Sequence, residues 1–199
     1  MSLVLVLASN NSDKAAEIRA ILGTALPGFE LRPRPPEVGE VDETGTTLED
    51  NARLKATAIA AAAGLPAVAD DTGLEVAALG GAPGVYSSRY AGEHATYADN
   101  VTKLLGALRH VADRRARFRT VAIVRWPDGH EVVADGAVDG VIATEARGAT
   151  GFGYDPVFVP DGGGGMTFAE LGPGVKNRLS HRARAFHALA ARLQSSPPA

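Results

Sequence analysis

Two adjacent carboxylates, Asp70 and Asp71, stand directly after the apolar run Leu65-Pro-Ala-Val-Ala69. A short apolar run bounded by turn signals reads as a buried strand. Two carboxylates at the end of such a strand repel each other and lose solvation, which destabilises any fold that does not bring a cation to them. The other arrangement open to them is a polar turn with both groups in water. Successive strand residues point to opposite faces, so one Asp can face a cleft while the other orients its surroundings. Mg²⁺, which takes oxygen ligands and commonly binds together with substrate phosphates, suits such a pair.

The flanking pattern alternates strands and helices. Residues 3–7, Leu-Val-Leu-Val-Leu, form a continuous apolar run typical of a strand buried on both faces. Helical spacing follows over 13–22, and residues 29–31 read as a short strand. Residues 32–45 are rich in Pro, Glu and Gly and read as a loop. Thr46-Thr-Leu-Glu49 is a capping-box pattern, and the alanine-rich segment after it predicts a helix running to Gly64, a good C′ residue. The strand before the Asp pair covers 67–69, and 79–92 reads as a loop. A helix is expected over 96–110. Strands over 118–124 and 131–142 flank Trp126-Pro-Asp-Gly129, a hairpin signal. A short strand over 156–159, a glycine-rich turn over 161–165 and a helix starting at Ser180 complete the reading, with 195–199 a frayed tail. The pattern predicts one α/β domain over 1–194 with a mixed sheet, crossover helices early and a hairpin late.

Composition removes several function classes. A formal net charge of −3 gives the chain no basic footprint for nucleic acid. Without cysteine there are no disulfides, thiol nucleophiles or thiolate metal sites. The apolar run 3–7 is too short for a signal-peptide core, and no segment approaches the length of a membrane span. A cytoplasmic enzyme is the expectation.

Four further segments carry candidate chemistry. Ala8-Ser-Asn-Asn-Ser-Asp-Lys14 is a strand-to-helix turn whose N–H groups and helix dipole suit phosphate. It lacks the glycine spacing of a P-loop, and it also reads as an ordinary Asn/Ser cap with an exposed Lys. Asp42-Glu43 precedes a helix, where negative charge is stabilising in itself, and either member is a second carboxylate for the metal of Asp71. Asn51 and Lys55 are four apart and share a face of that helix, which places Lys55 to meet phosphate, a metal-bound water or solvent. In Gly151-Phe-Gly-Tyr-Asp-Pro156 the glycines permit close approach to a flat ligand, and Phe152 or Tyr154 can stack on a base. Finally, Lys176 is followed by Ser180-His-Arg182, which puts His181 and Arg182 in the first turn of a helix, against its dipole. Three donors there make sense around an anion or a carbonyl-bearing base. On this reading, removing Arg182 spares the fold and costs nucleotide selection.

Taken in order over residues 3–190, these segments resemble the inosine/xanthosine triphosphate pyrophosphatase family. The matching stretches are the 8–14 turn, Glu43-Thr-Gly-Thr-Thr-Leu-Glu-Asp-Asn-Ala52, Ala69-Asp-Asp-Thr-Gly-Leu74, Leu79-Gly-Gly-Ala-Pro-Gly-Val-Tyr-Ser-Ser-Arg-Tyr90, Gly151-Phe-Gly-Tyr-Asp-Pro-Val-Phe158 and Ser180-His-Arg182. Thr72 stands where Ser is usual and keeps the hydroxyl. The resemblance implies an elongated central mixed β-sheet with flanking helices, forming two lobes around a substrate cleft, and a homodimer. It implies Mg²⁺-dependent hydrolysis of ITP, dITP or XTP to monophosphate and pyrophosphate. Ser9, Asn10, Asn11, Ser12, Asp13 and Lys14 would hold the triphosphate. Asp71 would be general base and metal ligand, with Asp42 or Glu43 as the other carboxylate. Thr72, Phe152, Gly153, Tyr154, Asp155, Lys176, His181 and Arg182 would line the nucleotide site. Hypoxanthine and xanthine present a 6-carbonyl acceptor where adenine presents a donor, so donors in that pocket select them. Two alternatives stand beside it: a Maf-like nucleotide pyrophosphatase with another base preference, and a non-catalytic nucleotide-binding module.

Overall fold

The computed structural model describes residues 3–195; of the tail read over 195–199, residues 196–199 lie outside the described residues. The early half is built of parallel strands. β1 (Val4–Leu7) pairs in parallel with β2 (Glu30–Arg32), Val4 opposite Glu30. It also pairs in parallel with β3 (Ala67–Val76), Val6 opposite Ala67. Parallel neighbours need crossovers, and α1 (Ser12–Ala25) and α2 (Leu48–Ala63) supply them. After β3 come the two-residue strand β4 (Pro83–Gly84), antiparallel on β3, and α3 (Tyr97–Ala107). The later half is antiparallel in character. β5 (Arg115–Arg125) turns into β6 (Glu131–Ile142) through residues 126–130, where the Trp126 N–H donates to the His130 carbonyl at 2.8 Å. β7 (Phe158–Pro160) pairs antiparallel with β6, Val141 opposite Val159. Among the described residues the strand order is β2-β1-β3-β5-β6-β7, with β4 beside β3. α4 (Phe168–Leu179) and α5 (His181–Ser195) end the chain.

The chain packs as two compact units. One comprises the residues up to Asp71, Thr120–Gly136 and the residues from Arg182 onward; the other comprises Thr72–Arg119 and Ala137–His181. β3, β5 and β6 each give one part to each unit. In the first unit, Leu5 and Leu7 of β1, Ile18 and Leu22 of α1, and Phe186 and Leu189 of α5 form one buried cluster. In the second, Leu74, Leu104, Phe118, Phe158 and Phe168 form another. Full burial of each such side chain stabilises by about 1.5–3 kcal/mol, so each unit has a core of its own.

Several sequence expectations change. The strand read over 67–69 does not stop at the Asp pair: β3 continues through Asp70, Asp71, Thr72 and Gly73 to Val76. The cap of α2 is one residue later than read. Thr47 is the N-cap, its hydroxyl accepting from the Asp50 N–H at 3.1 Å and donating to the Asp50 carboxylate at 2.7 Å. At the other end Gly64 takes the left-handed conformation, φ 62°, as its C′ assignment requires. The loop over 79–92 contains β4 and a short 3-10 turn at Ser87–Arg89, and a second such turn, Ala77–Leu79, leads into it. The strand read over 156–159 is β7, displaced to Phe158–Pro160. α4 was missed altogether, although Thr167-Phe-Ala-Glu170 forms a capping box with both hydrogen bonds present. Gly172, at φ 72°, and Pro173 interrupt the helical periodicity of that segment and hide it from a 3.6-residue pattern. Ser180 closes α4 and α5 begins at His181.

Candidate active site

In the first unit, alternation along β3 separates the two carboxylates. Asp70 is 2% exposed and faces cations. Arg182 donates to its Oδ2 from both Nε and Nη2 at 3.2 Å, and Lys14 Nζ lies 3.8 Å from the same oxygen. Burial works against ionisation of Asp70, but Lys14, Arg182 and Lys55 outweigh it and hold its carboxyl well below the usual carboxylate range. Asp71 belongs to the opposite set. Lys55 Nζ donates to its Oδ1 at 3.1 Å, and Asn51 Nδ2 to its Oδ2 at 3.4 Å. Here burial prevails: it pushes the Asp71 carboxyl up, against the pull of Lys55 and Lys14. Neighbouring residues on one strand thus ionise in opposite senses, one a fixed anion and the other a more basic carboxylate.

Lys55 also donates to Glu43 Oε1 at 2.6 Å, so one ammonium joins two carboxylates from the 42–45 segment and from β3. Burial alone would weaken its charge, but Asp71, Glu43 and Asp70 together raise its pKa. Asp42 is exposed, whereas Glu43 turns inward to this cluster. Between the two candidates, geometry favours Glu43 as the second carboxylate. The fourth element is the turn into α1. Asn11 caps it: its side chain accepts from the Asp13 and Lys14 N–H groups, both at 3.0 Å, and Ser9 Oγ accepts from the Asn11 N–H at 3.1 Å. Two of the amides expected to meet phosphate are therefore engaged by Asn11, while Asn10, Ser12 and Asp13 are exposed. Lys14 leans toward Asp70, and burial lowers its pKa despite that neighbour.

Arg182 requires a correction. It is 1% exposed, and besides Asp70 its Nη1 donates to Glu17 Oε2 at 2.5 Å. The expectation that its loss spares the fold is reversed, because the guanidinium holds two buried or half-buried carboxylates. Glu17 had not been singled out. It lies one helical turn beyond Lys14, and nothing local ties it to a residue 165 positions away.

The second unit gathers the aromatic candidates. Phe152 is half-buried, with Lys176 Nζ 4.4 Å from its ring centroid and Tyr97 at 6.0 Å ring to ring. Lys176 itself is 3% exposed and ion-paired with Asp155 Oδ2, which also accepts from the Phe152 N–H at 2.9 Å. Asp155 therefore fixes both the backbone under Phe152 and the cation over its ring. Tyr154 points away from this cluster into the core. It is 4% exposed, donates to the Ser87 carbonyl at 2.9 Å, and burial raises its pKa. Between Phe152 and Tyr154, left equal by sequence, Phe152 is the one available to stack on a base. Thr72 and Gly153 are half-buried. His181 is 2% exposed and stacked on Phe118, ring centroids 4.4 Å apart at 14°. Tyr97 and Phe118 escaped the sequence reading, since neither lies in a motif segment. Lys176 and His181 belong to this unit and Arg182 to the other.

The comparisons with known proteins agree along nearly the whole chain. A model of the Ham1 family matches residues 5–192. The dITP/XTP pyrophosphatase of Methylococcus capsulatus is 50% identical over 196 residues, covering 96% of each chain. That of Thermus thermophilus is 46% identical over 201 residues, covering 98% of this chain and 93% of the relative. Among solved structures, a HAM1 protein from Coxiella burnetii aligns with a TM-score of 0.88 at 42% identity, over 98% of this chain and 100% of that one. The Ham1 protein of Staphylococcus aureus aligns at 0.84 and 41% identity, over 96% and 98%.

Proposed function

We infer the function from one premise: this chain belongs to the Ham1 family. It is an enzyme that hydrolyses non-canonical purine nucleoside triphosphates, dITP and XTP among them, to the monophosphate and pyrophosphate. The finer assignments that follow are our reading of the site. The observation that carries them is Asp71, a buried carboxylate with a raised pKa, held between Lys55 and Asn51.

Asp71 is the general base. A raised pKa makes it a better proton acceptor at neutral pH than an ordinary carboxylate. It takes the proton from a water that attacks the α-phosphorus; the new P–O bond forms on the α-phosphoryl group and the bond to the bridging oxygen breaks, releasing pyrophosphate. Lys14, at the start of α1, offsets charge on the departing phosphates, with the exposed Ser12 and Asn10 beside it in sequence. Lys55 keeps Asp71 and Glu43 together against their mutual repulsion. Asp70 remains ionised throughout and holds Lys14 and Arg182. Phe152 stacks on the base and Lys176 donates to its 6-carbonyl, which adenine lacks.

The donor set also fits a divalent cation. Glu43 and Asp71 are hard oxygen donors that share the Lys55 ammonium, at 2.6 and 3.1 Å, and one or two carboxylates are what Mg²⁺ takes from protein when phosphates supply much of the rest. Held there, Mg²⁺ would neutralise phosphate charge and polarise the α-phosphoryl oxygen. A homodimer acting in the cytoplasm completes the proposal, on the strength of the family resemblance alone.

One assay tests the reaction. Incubated with ITP, dITP, XTP and ATP, the protein is expected to release pyrophosphate from the first three far faster than from ATP, and excess EDTA is expected to reduce the rate more than tenfold. Initial release of orthophosphate and a diphosphate would refute attack at the α-phosphorus. A second measurement concerns the base. Phe152→Ala is expected to raise KM for ITP by about 5- to 150-fold, the equivalent of about 1–3 kcal/mol of stacking. Its melting temperature should stay within a few degrees of wild type, because the ring is half-buried. An unchanged KM would remove Phe152 from the base site.

A further inference from the structure

Asn51 is 0% exposed, yet it is a polar residue in the first turn of α2. Buried polar side chains are hydrogen-bonded. Its Oδ1 accepts from the Gly45 N–H at 2.8 Å, and its Nδ2 donates to Asp71 Oδ2 at 3.4 Å. The orientation of the amide follows from chemistry. A backbone N–H can only donate, so the atom facing Gly45 is the oxygen, which turns the nitrogen to the carboxylate. Gly45 is two residues from Glu43, the other carboxylate on Lys55.

The 42–45 segment is pressed against α2 at this point. A Cβ on Gly45 would lie 2.5 Å from Asp50 Cβ and 2.7 Å from Asn51 Oδ1. The space between segment and helix is therefore closed to any larger residue, and the contact is made through Asn51. Lys55 attracts both carboxylates but, as a point charge on a flexible stem, does not fix their orientation. A buried amide with one donor and one acceptor committed to different elements does.

We propose that Asn51 is a positioning residue that brackets the two carboxylates of the site, holding the Glu43 segment through Gly45 and orienting Asp71 directly. This rests on the assignment of Glu43 and Asp71 as the pair that acts on the triphosphate with a divalent cation. Outer residues of this kind typically cost 10- to 100-fold in metal affinity or activity when removed. A buried asparagine that merely filled space would cost stability alone.

The test uses the full chain with Asn51→Ala and, separately, Gly45→Ala, which breaks the bracket from the other side and leaves Asn51 in its helix. Two readouts need no turnover: hydrogen exchange of the backbone amide at position 45, and Mg²⁺ binding by calorimetry. Both variants are expected to exchange that amide at least tenfold faster and to bind Mg²⁺ at least tenfold more weakly. With ITP, kcat should fall about 10- to 100-fold while KM stays within about threefold. If Asn51→Ala does not fold, Gly45→Ala decides on the same readouts. Wild-type exchange and Mg²⁺ affinity in a folded variant, or a lowered melting temperature as the sole change, overturns the proposal. Failure of the wild-type protein to release pyrophosphate from ITP would instead sink the assignment of the reaction, and the exchange and calorimetry would still judge the bracket.

Discussion

Asp71→Asn is expected to abolish pyrophosphate release, lowering kcat by about 10²–10⁴-fold, the usual contribution of a positioned general base. The amide is nearly isosteric but cannot accept the proton. Folding should not suffer. Burial raises the Asp71 pKa in the folded protein, and a carboxyl with a raised folded pKa contributes stability that is present below its unfolded pKa and lost as pH rises through the folded one. At neutral pH the ionised group is therefore a burden, and Asn relieves it. Asn also removes the anion that Lys55 pairs with, so the two effects offset and the melting temperature of the variant is expected to stay within a few degrees of wild type. Wild-type activity should fall on the acid side at a pH above the ordinary carboxylate range, as Asp71 takes up its proton. Activity in Asp71→Asn within a few-fold of wild type would transfer the base role elsewhere.

Arg182→Ala is expected to unfold the first unit more readily. Two effects oppose each other. Removing a cation from the first turn of α5 favours the helix by about 0.3–1 kcal/mol. Removing one partner of a buried ion pair costs about 3–5 kcal/mol, because Asp70 loses both guanidinium hydrogen bonds and is left to the more distant Lys14, at 3.8 Å. The second effect wins, and for a chain of this size it corresponds to a fall in Tm of roughly 6–20 °C. The pH dependence identifies the cause. The Asp70 pKa is depressed in the fold, so its stabilisation is present above the unfolded value near 3.8 and lost as pH falls through the folded one. The deficit of Arg182→Ala should be full at neutral pH and shrink below about pH 4 as Asp70 is protonated. Arg182→Lys keeps the charge without the fork and should fall between the two. A variant with wild-type Tm and an altered preference for ITP over ATP would return Arg182 to the base pocket.

These two neighbours show where sequence reasoning reaches and where it stops. Local pattern was enough for β1, whose apolar run needs burial on both faces, and for α2 and α3, whose caps and glycine or threonine boundaries lie within a few residues of each end. The hairpin of β5 and β6 was legible because its turn chemistry is contiguous. The segments holding the candidate site residues were legible for the same reason: unusual residue types were concentrated in short stretches.

The strand through Asp70 and Asp71 was not legible, because two adjacent carboxylates normally end a buried element. β3 continues because Lys14 and Lys55 arrive from α1 and α2, and Arg182 from 112 residues away in α5. No local window contains those cations. Sequence alone determined which residues are chemically able to act and most of the elements that carry them. Only the tertiary structure decided that cations hold the Asp70 carboxyl down while burial raises that of Asp71, that Glu43 rather than Asp42 turns inward, and that Arg182 holds Asp70. The physical reason is the same in each case: the cost of a buried charge is set by its partners, and chain folding alone brings those partners together.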